Sequence, residues 1–330
     1  MNVTTQPVVT LEEPRVRRRP ADVALDYGLY AALVALIVYF SVASPYFWTQ
    51  ANLLNIGLAV SLNGIMAAAM TVALIAGQLD LSIGACLALS AVITAMAIQD
   101  LQLPALVAVL LAVGAALVVG LLNSALVIQV GINSIIVTIA VALTVRGVAQ
   151  ILTDGQAVAI TDLSLQRFVN SRPLGIPTPL ILLVVVFAVL FVLLQYTRTG
   201  WHVYAVGGNV IAAIRNGVAA KRIYFGVFLL TAGAAGLCGA LSAGRAASGG
   251  PFFGATTEFD VLTAVLLGGV GLSGGAGRIE RTLAGVLLIG VLNNGLTLLS
   301  VDTYVQATVR GAVFLLAVVL GAIAAKRMTR

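Results

Sequence analysis

Apolar runs separated by short polar breaks recur along almost the whole of the 330-residue chain. They fall at Ala24–Ala43, Leu54–Ala76, Ser82–Ile98, Ala105–Val127, Ser134–Leu152, Pro179–Tyr196, Ile223–Ala243, Phe259–Val270, Leu283–Leu299 and Ala307–Ala325. A helix needs about 20 mostly apolar residues to cross the hydrocarbon of a bilayer. The spacing therefore predicts an all-α polytopic membrane protein of about ten transmembrane helices. Phe259–Val270 is too short to cross alone and has to borrow flanking residues or enter obliquely. Hydrophobic residues make up 60% of the chain and charged ones 9%, with a mean hydropathy of +1.08. Soluble domains carry about 25% charged residues, so a soluble fold is excluded.

The same scarcity of polar side chains removes whole classes of chemistry. There is one histidine, His202, and the two cysteines, Cys86 and Cys238, lie in separate apolar runs. Neither a CxxC nor an HExxH spacing is present, so no metal or cofactor is expected and the thiols read as small buried hydrophobes. Neither lysine, Lys221 or Lys326, follows a GxxxxG, so the chain holds no phosphate-cradling loop. Without a second histidine or a GxSxG a nucleophilic triad has nothing to rest on, and the chain is read as a non-enzyme.

A net charge of +6 would suggest nucleic acid in a soluble protein. Here its placement gives another reason. With both termini cytoplasmic, most basic residues fall in cytoplasmic segments: Arg15, Arg17, Arg18 and Arg19; Arg198, Arg215, Lys221 and Arg222; Arg278 and Arg281; Lys326, Arg327 and Arg330. Only Arg167 and Arg172 lie clearly in a loop on the other side. That bias is the positive-inside rule, so the charge reports topology and no nucleic-acid partner is expected. The reading divides the chain into a cytoplasmic tail (1–23), a membrane domain (24–325) with a cytoplasmic loop (197–222), and a short tail (326–330). The first run passes directly into Tyr46-Phe47-Trp48 with no cleavage signal, as a retained signal anchor would.

Three segments break the apolar pattern. In Gly77-Gln78-Leu79-Asp80-Leu81-Ser82-Ile83-Gly84 a carboxylate lies between two spans, and it cannot face lipid. Two readings stand: Asp80 or Ser82 caps the following helix, or they form part of a translocation path or gate. In the cytoplasmic loop, Gly207-Gly208-Asn209 is a stop and N-cap signal, and Val210–Asn216 reads as two turns of helix ended by Gly217. A short helix outside the membrane suits docking on a partner, or lying in the interface. The third, Gly268–Arg278, is glycine-rich, and Ala73–Gly84 aligned on Ala264–Gly275 matches at five of twelve positions, which hints at an internal repeat. Small residues four apart, Ala112, Ala116 and Gly120 with Gly236, Ala240 and Gly244, suit close helix packing. Among polar residues inside runs, Asn63, Asn123, Arg146, Asn293 and Asn294 read as interhelical glue, while Asn63, Asn293, Asn294 and Ser273 also join the candidate path with Asp80 and Ser82. Glu258, Asp260 and Arg245 flank a glycine-rich stretch and are expected to pair at the outer interface.

Four ordered motifs, GQLDLSIGACLALSAV (77–92), INSIIVTIAVALTVRGVAQILTDGQ (132–156), GWHVYAVGGNVIAAIRNGVAAKRI (200–223) and AVLLGGVGLSGGAGRIERTLAGVLLIGVLNNGLTLL (264–299), resemble the inner-membrane permeases of bacterial ABC sugar importers of the ribose/xylose/galactoside class. The resemblance spans most of the chain. It implies a type II importer bundle in the cytoplasmic membrane that pairs with a second permease copy or paralogue. It further implies cytoplasmic ATP-binding subunits, an extracytoplasmic sugar-binding protein and alternating access for a sugar or polyol, with lipid as the surrounding partner. The docking motif of that family, Glu-Ala-Ala-x-x-x-Gly, stands here as Ile211-Ala212-Ala213 and Gly217, so Gly208, Asn209, Ile211, Ala212, Ala213, Arg215 and Gly217 form the implied coupling helix without its glutamate. Other departures are Gly77-Gln78 in place of paired glycines and Asn133-Ser134 where a proline is common. The rival reading is an ion-coupled secondary transporter with Asp80, Glu258 and Asp260 as coupling carboxylates.

Overall fold

The computed structural model describes residues 20–328, with side-chain environments over 27–322. The arginine cluster at 15–19 and the terminal Arg330 lie outside the described residues. Each of the ten predicted runs is a helix: α1 (Pro20–Ala43), α2 (Gln50–Ile75), α3 (Ile83–Gln99), α4 (Ala105–Ala125), α5 (Ser134–Thr153), α7 (Thr178–Tyr196), α10 (Ala220–Ala246), α11 (Thr257–Leu267), α12 (Ile279–Leu298) and α13 (Thr303–Met328). Three short helices join them, α6 (Ser164–Val169), α8 (Arg198–Gly208) and α9 (Val210–Arg215). Among the described residues seven are long and apolar enough to cross a membrane: α2, α4 with its π-helical extension Leu126–Val130, α5, α7, α10, α12 and α13. The protein is an all-α polytopic membrane bundle. Its two strands, β1 (Val158–Ala159) and β2 (Ser248–Gly249), pair antiparallel with Val158 opposite Gly249 and mark one end of the bundle. The connections α2–α3, α4–α5, α7–α10 and α11–α12 lie at the other, which we call the glycine end.

Helix ends follow local chemistry. Thr49 Oγ1 accepts from Asn52 N–H at 3.4 Å to start α2, and Asn133 Oδ1 accepts from Ile135 N–H at 2.9 Å to start α5. Both α2 and α11 stop in a Schellman turn. Gly77 (φ 77°) donates to Leu74 C=O and Gln78 to Ala73 C=O, both at 2.9 Å. Gly269 (φ 82°) donates to Leu266 C=O and Val270 to Val265 C=O, at 2.9 and 3.3 Å. The repeat hinted by the alignment thus has a structural counterpart, but one residue out of register: Gly77 corresponds to Gly269, where the alignment paired it with Gly268.

α2 is the spine, buried throughout Gly64–Ile75, and it packs on α7, α10, α11 and α12. α3 lies against α10, α4 and α5. The two small-residue stripes meet at Ala116 and Gly236, where a Cβ on Gly236 would lie 2.8 Å from the Ala116 methyl; a Cβ at Gly120 would lie 2.8 Å from the Ala232 methyl, and Gly244 lies against Leu165 and Val169 of α6. Such approach gives α4 and α10 the close van der Waals contact that drives helix association in lipid. By contrast α13 is buried over only 11% of its spanning window, so its apolar surface faces outward.

The short eighth run resolves as an 11-residue helix with an inset start. After β2, Gly249 lies against Ala91 and Ala95 of α3, and Gly254 against Leu87 and the Gly84 carbonyl. Ala95 to Gly84 is about 16 Å of helix at 1.5 Å per residue, so the chain descends into the bundle before α11 begins. That places Glu258 and Asp260, in the first turn of α11, at depth. They do not pair together with Arg245 at an interface, as expected: the ion pairs run to Arg146 and Arg310, on spans that no local pattern links to α11.

Candidate functional site

The first break is folded around Asp80, which is fully buried. Its Oδ1 accepts from Ser82 N–H at 2.9 Å and Ser82 Oγ–H at 2.6 Å, and its Oδ2 accepts from Thr231 Oγ–H on α10 at 2.5 Å. Ser82 Oγ in turn accepts from Asn123 Nδ2 on α4 at 2.9 Å. The backbone of the break is held from α5: Leu79 N–H donates to Ser134 Oγ at 3.3 Å and Leu81 N–H to Thr138 Oγ1 at 3.1 Å. One carboxylate thereby ties the head of α3 to α4 and α10, with charge-assisted hydrogen bonds of the strong kind. Asp80 takes the N–H of Ser82, the residue before α3, and no side chain takes an N–H within the first turn of α3, so Asp80 and Ser82 act as a tie between helices.

Immediately beside it the three sequence breaks meet. Gly275 N–H donates to Ile75 C=O at 2.8 Å, supplying a partner for a carbonyl at the end of α2. A Cβ at Gly274 would lie 2.8 Å from Gly77 Cα and 3.0 Å from the Gly207 carbonyl, and one at Gly275 would lie 2.5 Å from Gly208 Cα. A methyl at Gly207 would collide with the Ile75 carbonyl. Only hydrogen at Cα permits backbone to lie on backbone in this way. Tyr204 of α8 adds a hydrogen bond from its hydroxyl to Gly277 C=O at 2.9 Å. Burial, helped by Glu280 and opposed by Arg278, raises this phenol above its usual pKa, so it remains a donor.

The cytoplasmic loop of the sequence reading is more helical than expected. α8 was not anticipated; Thr197 Oγ1 caps it by accepting from Gly200 N–H at 3.2 Å, and Val203 and Val206 are its buried face. α9 starts and stops as predicted, with Asn209 Oδ1 accepting from Ala212 N–H at 3.0 Å and Gly217 at φ 82°. Ala213 is buried in a small cluster with Val206 and Ala220. Ala212 and Arg215 are exposed, as are the large apolar side chains Ile211, Ile214 and Trp201, at 63%, 56% and 69%.

A cavity of about 520 Å³ opens between the first break, α5, α11 and α13, lined among others by Gly77, Leu79, Leu81, Ser134, Leu262 and Leu315. Phe259 closes its α11 side and touches Phe314 of α13, ring centroids 5.7 Å apart. The other candidate path residues are dispersed. Asn294 Nδ2 donates to Asn52 Oδ1 at 2.9 Å, tying α12 to α2, and Asn293 reaches Asp260. Asn63 is half-buried on α2, and Ser273 is exposed in the glycine-rich loop. The sequence marked Arg146 only as interhelical glue and left Arg310 unmarked, because the partner of each lies far away in sequence. Both cysteines are buried and free, and among the described residues no cluster of three potential metal ligands occurs.

Residues 52–318 match the family model described as "Branched-chain amino acid transport system / permease component". The ribose import permease protein RbsC of Escherichia coli K12 is 38% identical over 88% of this chain and 91% of its own length. The chain belongs to the ABC-importer permease family of RbsC. RbsC of Bacillus subtilis 168 is 39% identical over 89% of this permease and 91% of its own length. The L-arabinose transport system permease protein AraH of E. coli K12 is 34% identical over 89% of both chains. No solved structure matches. The permease is thus a multi-pass transport subunit of the inner membrane.

Proposed function

We propose that this permease is the membrane-spanning subunit of an importer that carries a monosaccharide, of the pentose kind for which RbsC and AraH are named, by alternating access. The family descriptor speaks of branched-chain amino acids, but identity of 38% over 88% of the chain is the finer guide and points to a sugar. All ten helices cross or enter the membrane in this reading, with both ends of the chain cytoplasmic. ATP is hydrolysed by separate cytoplasmic subunits docked on α8 and α9. A second permease chain and an extracytoplasmic binding protein complete the assembly.

One observation carries the reading: helices that cross nothing, with Trp201, Ile211 and Ile214 turned outward, rest directly on both membrane breaks through Gly207, Gly208, Gly274 and Gly275. A pull on α9 therefore reaches the end of α2 and the α11–α12 loop by direct backbone contact. Ile211, at the place of the missing glutamate, gives the docking face apolar contact where an ion pair would be expected.

Docking is tested by coexpression with ATP-binding subunits and copurification. Ile211→Glu/Ile214→Glu alters two exposed side chains and should cost at least tenfold in recovered ATPase while the permease itself still inserts; changing buried Ala213 would confound docking with folding. Uptake of D-ribose and L-arabinose into liposomes bearing the complex should require ATP. A permease that binds no ATPase yet moves solute under a proton or sodium gradient would instead establish the ion-coupled reading.

A further inference from the structure

A second cavity, of about 440 Å³, lies on the flank of the bundle at the glycine end, where the end of α4 and its π-helical extension run beside the first turns of α10. Leu121, Ala125, Ile128 and Phe225 give it an apolar wall, and Gln129, Lys221 and Arg222 stand at its outer end. Leu121 and Gln129 are eight residues apart, so the groove runs about 12 Å along α4 at 1.5 Å per residue. It opens sideways rather than into the core. Leu121 and Phe225 are each 43% exposed, and α4 buries only 28% of its spanning window, so this flank meets the membrane.

The charge at the outer end is uncompensated. Among the described residues neither the Lys221 nor the Arg222 side chain has an ion pair or a hydrogen bond. The acids with described side chains at this end are Asp80, buried against Ser82 and Thr231, and Glu280, which faces Arg278 at 3.7 Å. Both cations also stand in the first turn of a 27-residue helix that no side chain caps. The dipole is already positive there and favours an anion over a cation. Keeping a loop cytoplasmic is the simplest use of a lysine and an arginine, but that use needs neither a groove beside them nor a place on a helix N-terminus.

We infer that this groove seats one anionic phospholipid of the leaflet at the glycine end, its phosphate on Lys221, Arg222 and the start of α10, and an acyl chain along Leu121, Ala125, Ile128 and Phe225. Basic pockets between spans at a membrane surface suit such headgroups, and the Gln129 amide adds a donor for a phosphate or ester oxygen. The occupant is an amphiphile because one groove joins the cations to the apolar wall. A soluble anion would leave the wall bare, and the acidic face of a cytoplasmic protein would not follow it down two spans. The seat also has a use. Ala220, directly before Lys221, packs with Ala213 of α9 and Val206 of α8, while further along α10 Thr231 bonds Asp80. A lipid held here braces the joint between the outer helices and the span that holds the first break, whichever solute the permease carries.

The test titrates the full-length permease in detergent with phosphatidylglycerol or phosphatidylcholine and counts bound lipid by native mass spectrometry. Wild type is expected to bind a first phosphatidylglycerol at least tenfold more tightly than phosphatidylcholine. Lys221→Gln/Arg222→Gln removes both charges, and Ala125→Leu fills the groove with the charges intact; each should weaken that first binding at least fivefold. Arg198→Gln/Arg215→Gln, exposed cations at the same end but outside the groove, should leave it within twofold. The two groove variants act through different residues, so the one that keeps the wild-type melting temperature decides. Binding within twofold of wild type in that variant overturns the site, and so does equal weakening by the Arg198 and Arg215 changes, the signature of diffuse surface charge. Displacement of the lipid by glycerol 3-phosphate at equal concentration overturns it in favour of a soluble anion. Groove variants that bind lipid normally but lose ATPase copurification overturn it in favour of a contact with the ATP-binding subunit.

Discussion

Asp80 governs more of the local structure than its single side chain suggests, because it satisfies donors from the head of α3 and from α10 and, through Ser82, orients Asn123 of α4. Asp80→Ala would leave Ser82 N–H and the Thr231 hydroxyl without that acceptor in a buried place, at about 1–3 kcal/mol for each unsatisfied group. Asp80→Asn keeps one oxygen for Ser82 and presents an amide that Thr231 Oγ can accept from. The expected order of melting temperature in detergent is wild type, then Asp80→Asn, then Asp80→Ala well below both; an alanine variant as stable as wild type would show that the network carries no stability. The sequence exposed the anomaly of this carboxylate and offered Asn123 as a bonding residue. It did not reveal Thr231, since one threonine among many apolar neighbours differs from the rest only by what it meets across 151 residues of chain. The same blindness hid the partners of Glu258 and Asp260.

At the scale of elements, hydrophobic runs located ten of the helices because burial in lipid leaves a signal in composition, one residue after another. α8 lacked that signal. Its segment holds Gly200 and ends in Gly207-Gly208, residues that weaken a helix, and it persists through the Thr197 cap, the buried pair Val203 and Val206, and the Tyr204 contact with Gly277. The glycines that obscure it are the ones that let it rest on the end of α2 and on the α11–α12 loop. Gly207→Ala forces a methyl against the Ile75 carbonyl and should lift α8 off the breaks while leaving Ile211 and Ile214 on the outer face. The expected outcome is ATPase copurification near the wild-type level with sugar uptake reduced at least tenfold. Uptake and ATP hydrolysis that remain tightly coupled in this variant would mean that motion reaches the bundle by another route.

The whole molecule sets its two ends apart by charge. The glycine end carries Arg198, Arg215, Lys221, Arg222, Arg278 and Arg281, whereas the strand end carries Arg167, Arg172 and Arg245. Short loops rich in Arg and Lys stay cytoplasmic, so the α8 and α9 helices should stand inside the cell, where ATP-binding subunits are, and α6 outside it. The chain supplies a quiet background for testing this, because Cys86 and Cys238 are both fully buried and out of reach of a reagent in water. Arg215→Cys, exposed at the end of α9, and Asn170→Cys, exposed after α6, each add one accessible thiol. In intact spheroplasts a membrane-impermeant maleimide should label the cysteine at 170 and leave the one at 215 unlabelled until the membrane is permeabilised. Labelling in the reverse order would put the α8 and α9 face outside, where no ATP-driven partner can reach it, and would remove the importer mechanism together with the orientation.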